Sequence, residues 1–254
     1  MRKDFYLVEL CLVMGIWKKG VVVVLFLISG IFYYNFVGNV VLEKQEVFVS
    51  RVLDGDTIEI LVGEAELKAR LKGINTPEKG MVGWEGARGF LQRRIENKSV
   101  EVVNFGGDKY ERLLVYVFDP GSEKSVNEEI LGWGLGGLYY YGEDDYYDDM
   151  KKFEEFARVN ELGIWKKSVD AGCVELVELQ HNEPEKLVLK NICNKDIKVV
   201  IKDDATHIYH ETLKARKVWE KNFSHIWNTD GDSLFVWDDL GAGGGGGLLV
   251  FYRY

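Results

Sequence analysis

The chain has few of the residues that build zinc sites. It has four histidines, and no two are spaced H-x-x-x-H. It has three cysteines, Cys11, Cys173 and Cys193, none at a metal-finger spacing. A zinc centre is therefore not expected. An excess of positive charge is also missing: the net charge is −9, which argues against a general basic coat for a polyanion. Phosphate binding would have to rest on a local cluster of cations, slowed at low salt by long-range repulsion. Cys173 and Cys193 could pair if the chain is extracytoplasmic. Two buried free thiols on neighbouring strands are the alternative.

One stretch lacks charge altogether. Residues 21–36 read V-V-V-V-L-F-L-I-S-G-I-F-Y-Y-N-F, and with Gly20, Val37 and Gly38 they approach the roughly 20 residues of a bilayer span. The run is apolar on every face, so a buried core helix is not expected. Lys18 and Lys19 precede it and place the N-terminus in the cytoplasm. Trp17, Tyr33 and Tyr34 sit near its ends, where amphipathic aromatics prefer the interface. No small-x-small cleavage site follows Phe36, so the expectation is an uncleaved single-pass anchor with the domains extracytoplasmic. A cleaved signal and a secreted protein are the alternative. Met14 heads a more natural start, which makes the first thirteen residues read as a start-site artefact. Residues 1–45 are thus an N-terminal segment with a helix at about 20–38, followed by a short tether.

From 46 to 168 the pattern changes. Residues 47–51 and 57–61 are β-rich around Asp54-Gly55-Asp56, which predicts two strands and a tight turn. Strands follow at 65–71, 100–105 and 113–118. Ala87, Leu91, Arg94 and Ile95 are helically spaced within 85–97. A serine-capped helix is predicted at 125–135 and a longer one at 144–160. Asp144, Asp145, Asp148 and Asp149 read as a solvated start to that last helix, where its dipole favours negative charge. The order fits an α+β, five-stranded OB-type barrel with three helices.

Three motifs carry chemistry: V-L-D-G-D-T-I at 52–58, R-L-K-G-I-N-T-P-E at 70–78 and D-K-Y-E-R at 108–112. They combine carboxylates, a carbonyl-type oxygen and two arginines. Such a set can hold a hard cation and stabilise a phosphate under attack. In this order and spacing they resemble the staphylococcal nuclease (thermonuclease-like) family, and the resemblance runs from about Val47 to the L-G-I-W ending at Trp165. It implies metal ligands at Asp56, Asn75 and the Thr76 carbonyl. It implies catalytic roles for Glu78, which activates or positions the attacking water, and for Arg70 and Arg112, which grip the phosphate as planar, always-charged forks. Familiar members carry aspartate where this chain has Asn75, so one formal charge is lost and weaker metal binding, or a shifted metal preference, is expected. The implied cation is calcium, with magnesium or another divalent ion as alternatives. Tyr110, Tyr139 and Tyr141 are candidates to stack on bases of single-stranded DNA or RNA. Asp54 reads as a turn or supporting residue.

From 172 to 254 a second unit is predicted, all-β. Strands are expected at 174–179, 186–191, 197–202 and 233–237, with 248–254 supplying the last. L-V-L-K-N (187–191), I-K-D-D-A-T-H-I-Y (201–209) and I-W-N-T-D-G-D-S-L (226–234) resemble the lamin-tail domain, an immunoglobulin-like sandwich taken as an adaptor. Asp230-Gly231-Asp232-Ser233 reads as a turn, since no T-P-E or arginine partner follows. The chain is thus expected to be a membrane-anchored, metal-dependent nuclease. The competing reading is a barrel that binds nucleic acid or protein without cleaving, favoured by Asn75 and the acidic balance.

Overall fold

β-branched alternation dominates the first half of the computed structural model, which describes residues 43–254 apart from 140, 141, 143, 230 and 241–245. The expected span at 20–38 and Tyr141 lie outside the described residues. Among the described residues no helix is long and apolar enough to cross a membrane.

The first domain runs β1 (Gln45–Val52), β2 (Thr57–Val62), β3 (Ala65–Leu71), β4 (Ile74–Asn75), α1 (Trp84–Ile95), β5 (Lys98–Gly107), β6 (Leu113–Phe118), α2 (Val126–Gly132), β7 (Gly137–Leu138) and α3 (Tyr147–Val159). Five strands close into a barrel in the order β1-β2-β3-β6-β5. Closure leaves the barrel no free edge. β3 and β6 pair in parallel and the other barrel pairs are antiparallel. Inward residues alternate, as in Val47, Val49, Ile58, Ile60, Val115 and Val117, and Leu91 and Ile95 of α1 cover one end. Ser125 caps α2: its hydroxyl accepts from the Glu128 amide, and the Glu128 carboxylate accepts from the Ser125 amide. The three predicted helices are recovered, the first beginning one residue earlier and all three ending earlier than expected.

The acidic start of α3 differs from expectation at one residue. Asp148 and Asp149 are exposed and pair with Lys151 and Lys152. Asp144 is not solvated in this way: it pairs with buried Lys72 and accepts from the Tyr116 hydroxyl. Lys72 sits 4.7 Å from the Phe105 ring centre, so this charge is enclosed by aromatics and needs its counter-ion.

The second domain holds β8 (Val174–Gln180), β9 (Glu185–Asn191), β10 (Ile197–Lys202), β11 (Ile208–Leu213), β12 (Val218–Phe223), β13 (Ser233–Asp238) and β14 (Leu248–Arg253). They form two antiparallel sheets, β11-β10-β13-β14 and β12-β9-β8. Val174, Leu187 and Leu189 from one sheet and Ile197, Val199, Ile201, Leu234 and Val236 from the other share one core. Cys173 and Cys193 form a disulfide across a sequence separation of 20, which resolves the choice left open by the sequence. It ties the lead-in of β8 to the turn after β9.

The two domains share a third apolar cluster. Trp165, at the close of the first domain, packs on both Phe235 and Phe251 of the second, at centroid distances of 5.6 and 4.9 Å. Ile164, Ala157 and Leu248 complete it. Its polar border is specific. Arg253 pairs with Glu154 of α3 and donates to the Leu138 carbonyl, and the Trp237 indole donates to the Ile164 carbonyl.

Candidate functional site

The D-G-D-T turn is held against the I-N-T-P-E loop by close packing at Gly55. A β-carbon there would lie 2.6 Å from the Thr76 hydroxyl oxygen and 2.8 Å from the Ala87 β-carbon. The Asp54 carboxylate caps the turn and accepts from the Trp84 indole at 2.6 Å, which docks the start of α1. This is the turn role expected of Asp54.

Packing of this kind brings four expected residues together. Asp56 and Arg70 are each 7% exposed and form an ion pair. Asp56 also accepts from the Thr57 hydroxyl at 3.0 Å, the Thr76 amide at 3.1 Å and the Thr76 hydroxyl at 3.0 Å. The Arg70 guanidinium extends through Nη2 to the Asn75 side-chain oxygen at 2.9 Å and to the Ile74 carbonyl at 3.1 Å. One guanidinium thus bridges the two side chains assigned as metal ligands. Asn75 lies on β4, which pairs with β7 through Gly137, so its backbone is fixed.

The remaining expected residues have other surroundings. Arg112 folds back on Asp108, with Nε and Nη2 at 2.8 and 2.7 Å from one carboxylate oxygen. Burial raises Asp108, but the hydrogen bonds from Arg112 outweigh it and hold the carboxyl below its ordinary value. Tyr110 is exposed beside this pair, with the Arg112 guanidinium 5.3 Å from its ring centre. Tyr139 is half-buried and its amide donates to the Gly73 carbonyl at 2.9 Å.

Glu78 is half-buried, and it is one of several carboxylates whose charge is felt by Lys202 of the second domain. The sequence pattern did not point to this lysine. Lys202 is 4% exposed, and burial lowers it while Asp203, Glu78, Asp204 and Asp232 oppose that shift. Its ammonium donates to the Asp203 and Ala205 carbonyls. The Asn75 amide nitrogen, in turn, donates to the Asp204 carbonyl at 2.6 Å and the Ala205 carbonyl at 3.3 Å. A cavity of about 380 Å³ lies here, walled by Asn75, Thr76 and Pro77 on one side and Lys202, Asp203 and Asp204 on the other. A run of K-D-D at the end of a strand was the sole hint in the sequence, and it reads equally as a polar turn. Asp232 is buried and accepts from the Asp204, Asn228 and Ser233 amides.

Residues 68–167 match the family described as "Staphylococcal nuclease homologue". The chain is 33% identical over 125 residues to a micrococcal nuclease of Shigella flexneri, covering 46% of this chain and 71% of that protein. The chain belongs to the staphylococcal nuclease homologue family. Other relatives include an uncharacterized endonuclease of Haemophilus influenzae, 29% identical over 125 residues with 48% and 67% covered. An SPbeta prophage-derived endonuclease, YokF, of Bacillus subtilis is 34% identical over 142 residues, with 50% and 46% covered. The family match ends at 167, so the second domain stands outside it.

Nucleases of this family use divalent cations. Among the described residues no three His, Cys, Asp or Glu side chains form a group that could hold a metal. The family's own donors are all oxygen here: the Asp56 carboxylate, the Asn75 side-chain carbonyl and the Thr76 backbone carbonyl. That chemistry fits a hard cation. With a single carboxylate, already paired with Arg70, the fit is weak.

Proposed function

We propose that this chain is a nuclease that hydrolyses phosphodiester bonds of DNA and RNA with little sequence specificity, aided by a divalent cation, calcium first. The observation that carries the reading is the joined set of Asp56, Arg70, Asn75 and Thr76 in a family whose relatives are named nucleases. Hydrolysis needs an activated water and neutralised charge on the phosphoryl oxygens. Glu78 takes the proton of the attacking water. Arg70 presents a fixed fork, oriented by Asp56 and Asn75, to the phosphoryl oxygens. Arg112, held by Asp108, supplies a second fork beside the exposed ring of Tyr110. Tyr110, Tyr139 and Tyr141 stack on bases, which suits single strands of any sequence. Asp56, Asn75 and Thr76 would hold the cation, which when bound supplies positive charge at the phosphate.

The second domain is proposed to be a lamin-tail-like, immunoglobulin-like adaptor, its two sheets and shared core being the support. The apolar run at 20–38 is proposed to anchor the chain in a membrane, with both domains extracytoplasmic; cleavage there would release a secreted enzyme. The Cys173–Cys193 disulfide supports an oxidising compartment. A second reading, a binder without turnover, is favoured by one observation: the Arg70 guanidinium is buried between Asp56 and Asn75.

Digestion of single-stranded DNA and RNA by the full chain, with calcium, magnesium or chelator, separates these readings. Cation-dependent cleavage is expected, falling about 100-fold or more in Glu78→Gln if a general base is removed. Binding of single strands without cleavage in every cation would establish the second reading.

A further inference from the structure

The change from a carboxylate to an amide at position 75 has a structural partner outside the family's domain. The Asn75 amide faces two ways. Its oxygen accepts from Arg70 at 2.9 Å, and its nitrogen donates to the Asp204 and Ala205 carbonyls at 2.6 and 3.3 Å. One orientation alone satisfies both sides, because a flip would set NH₂ against a guanidinium and oxygen against two carbonyls. An aspartate would still suit Arg70. On the other side it would press an anionic oxygen against two carbonyl oxygens, with no proton to share.

The acceptor loop is held by hydrogen bonds of its own. The Lys202 ammonium donates to the Asp203 and Ala205 carbonyls. The Asp203 carboxylate accepts from the Ala205 and His207 amides, and the Asp204 amide donates to buried Asp232. The carbonyl pair therefore stands preformed where the second domain meets β4.

We infer that Asn75 is a positioning residue that couples the second domain to the nuclease site: the Asp204–Ala205 carbonyls hold its amide, its amide oxygen holds Arg70, and Arg70 meets the phosphate. The second domain is thus a working part of the site. Asn75 marks adaptation to that domain, not decay of a metal ligand. The Arg70 step rests on the nuclease reading; the docking step does not.

The test compares the native full chain with Asn75→Asp, Asn75→Ala and Lys202→Met. Backbone hydrogen exchange is read at 203–207 and at 74–76, and exchange in β9 reports that the second domain remains folded. Exchange at both loops is expected to rise about tenfold or more in Asn75→Asp, less in Asn75→Ala, and again in Lys202→Met, which acts from the other domain. With single-stranded DNA and a divalent cation, kcat should fall in all three while KM changes little, since Arg70 is misplaced and not removed. Calcium at saturation, established by calorimetry, should not restore the cutting rate of Asn75→Asp. The inference is overturned if Asn75→Asp leaves exchange at 203–207 at the native rate. It is also overturned if that variant, saturated with calcium, cuts at or above the native rate, for then residue 75 acts as a metal ligand alone. A native chain that cuts nothing, with the exchange pattern as expected, would keep the docking and remove the nuclease reading.

Discussion

Asp204 shows how far the environment of one residue departs from its sequence context. Burial pushes its carboxyl from 3.8 up to about 7, with Asp232 adding to the shift and Arg253 opposing it. The native state therefore holds a proton that the unfolded chain releases at lower pH. Stability from this group is fully present below the unfolded value and declines as pH rises toward about 7. Thermal unfolding of the native chain and Asp204→Asn across that window should show the variant declining less. Equal slopes would remove Asp204 from the pH dependence. At this scale the motif residues were legible: Asp56, Arg70 and Thr76, which the family resemblance set in one site, lie together, and Asp54 serves its turn. Lys202 was not legible. A buried lysine is readable only through its counter-charges, and one of those, Glu78, lies in the other domain.

Elements were legible where burial imposes a period. Ile197, Val199 and Ile201 alternate on β10 and all are buried, so that strand was anticipated at its observed bounds. β11 and β12 were not anticipated. Only Leu213 and Phe223 are buried in them, and their remaining positions mix charged and aromatic residues on partly solvated faces. Their pairing with β10 and β9 is set by tertiary contacts, which local pattern does not carry. The L-G-I-W closing turn has a sharper physical demand. Gly163 has φ +55°, and a β-carbon there would lie 2.0 Å from the Gly134 carbonyl oxygen. The turn sets Ile164 and Trp165 into the cluster shared by the domains. Gly163→Ala is expected to cost about 2 kcal/mol or more, through left-handed strain and displaced backbone. Urea unfolding measures this, and a variant within a few tenths of a kcal/mol of native would refute the close approach.

At the scale of the molecule, the barrel was legible through its motifs, whereas the docking of the second domain was not. Asn75 and Asp204 are 129 residues apart, and Glu154 and Arg253 are 99 apart; no local pattern links them. The docking also gathers acidic residues of the second domain in one place. Asp203, Asp204, Asp238 and Asp239 line the second domain's side of the cavity beside Asn75. Arg70 is where these features meet, being paired with Asp56, oriented by Asn75 and held indirectly by the second domain. The most direct measurement is the single-turnover rate of single-stranded DNA cleavage by the full chain and by Arg70→Ala, at one fixed divalent-cation concentration, with near-ultraviolet dichroism confirming the fold. Native cleavage and a loss of about 100-fold or more in the variant are expected, as for removal of one preorganised donor to a developing negative charge. Cleavage by Arg70→Ala at the native rate would contradict the assignment of this site.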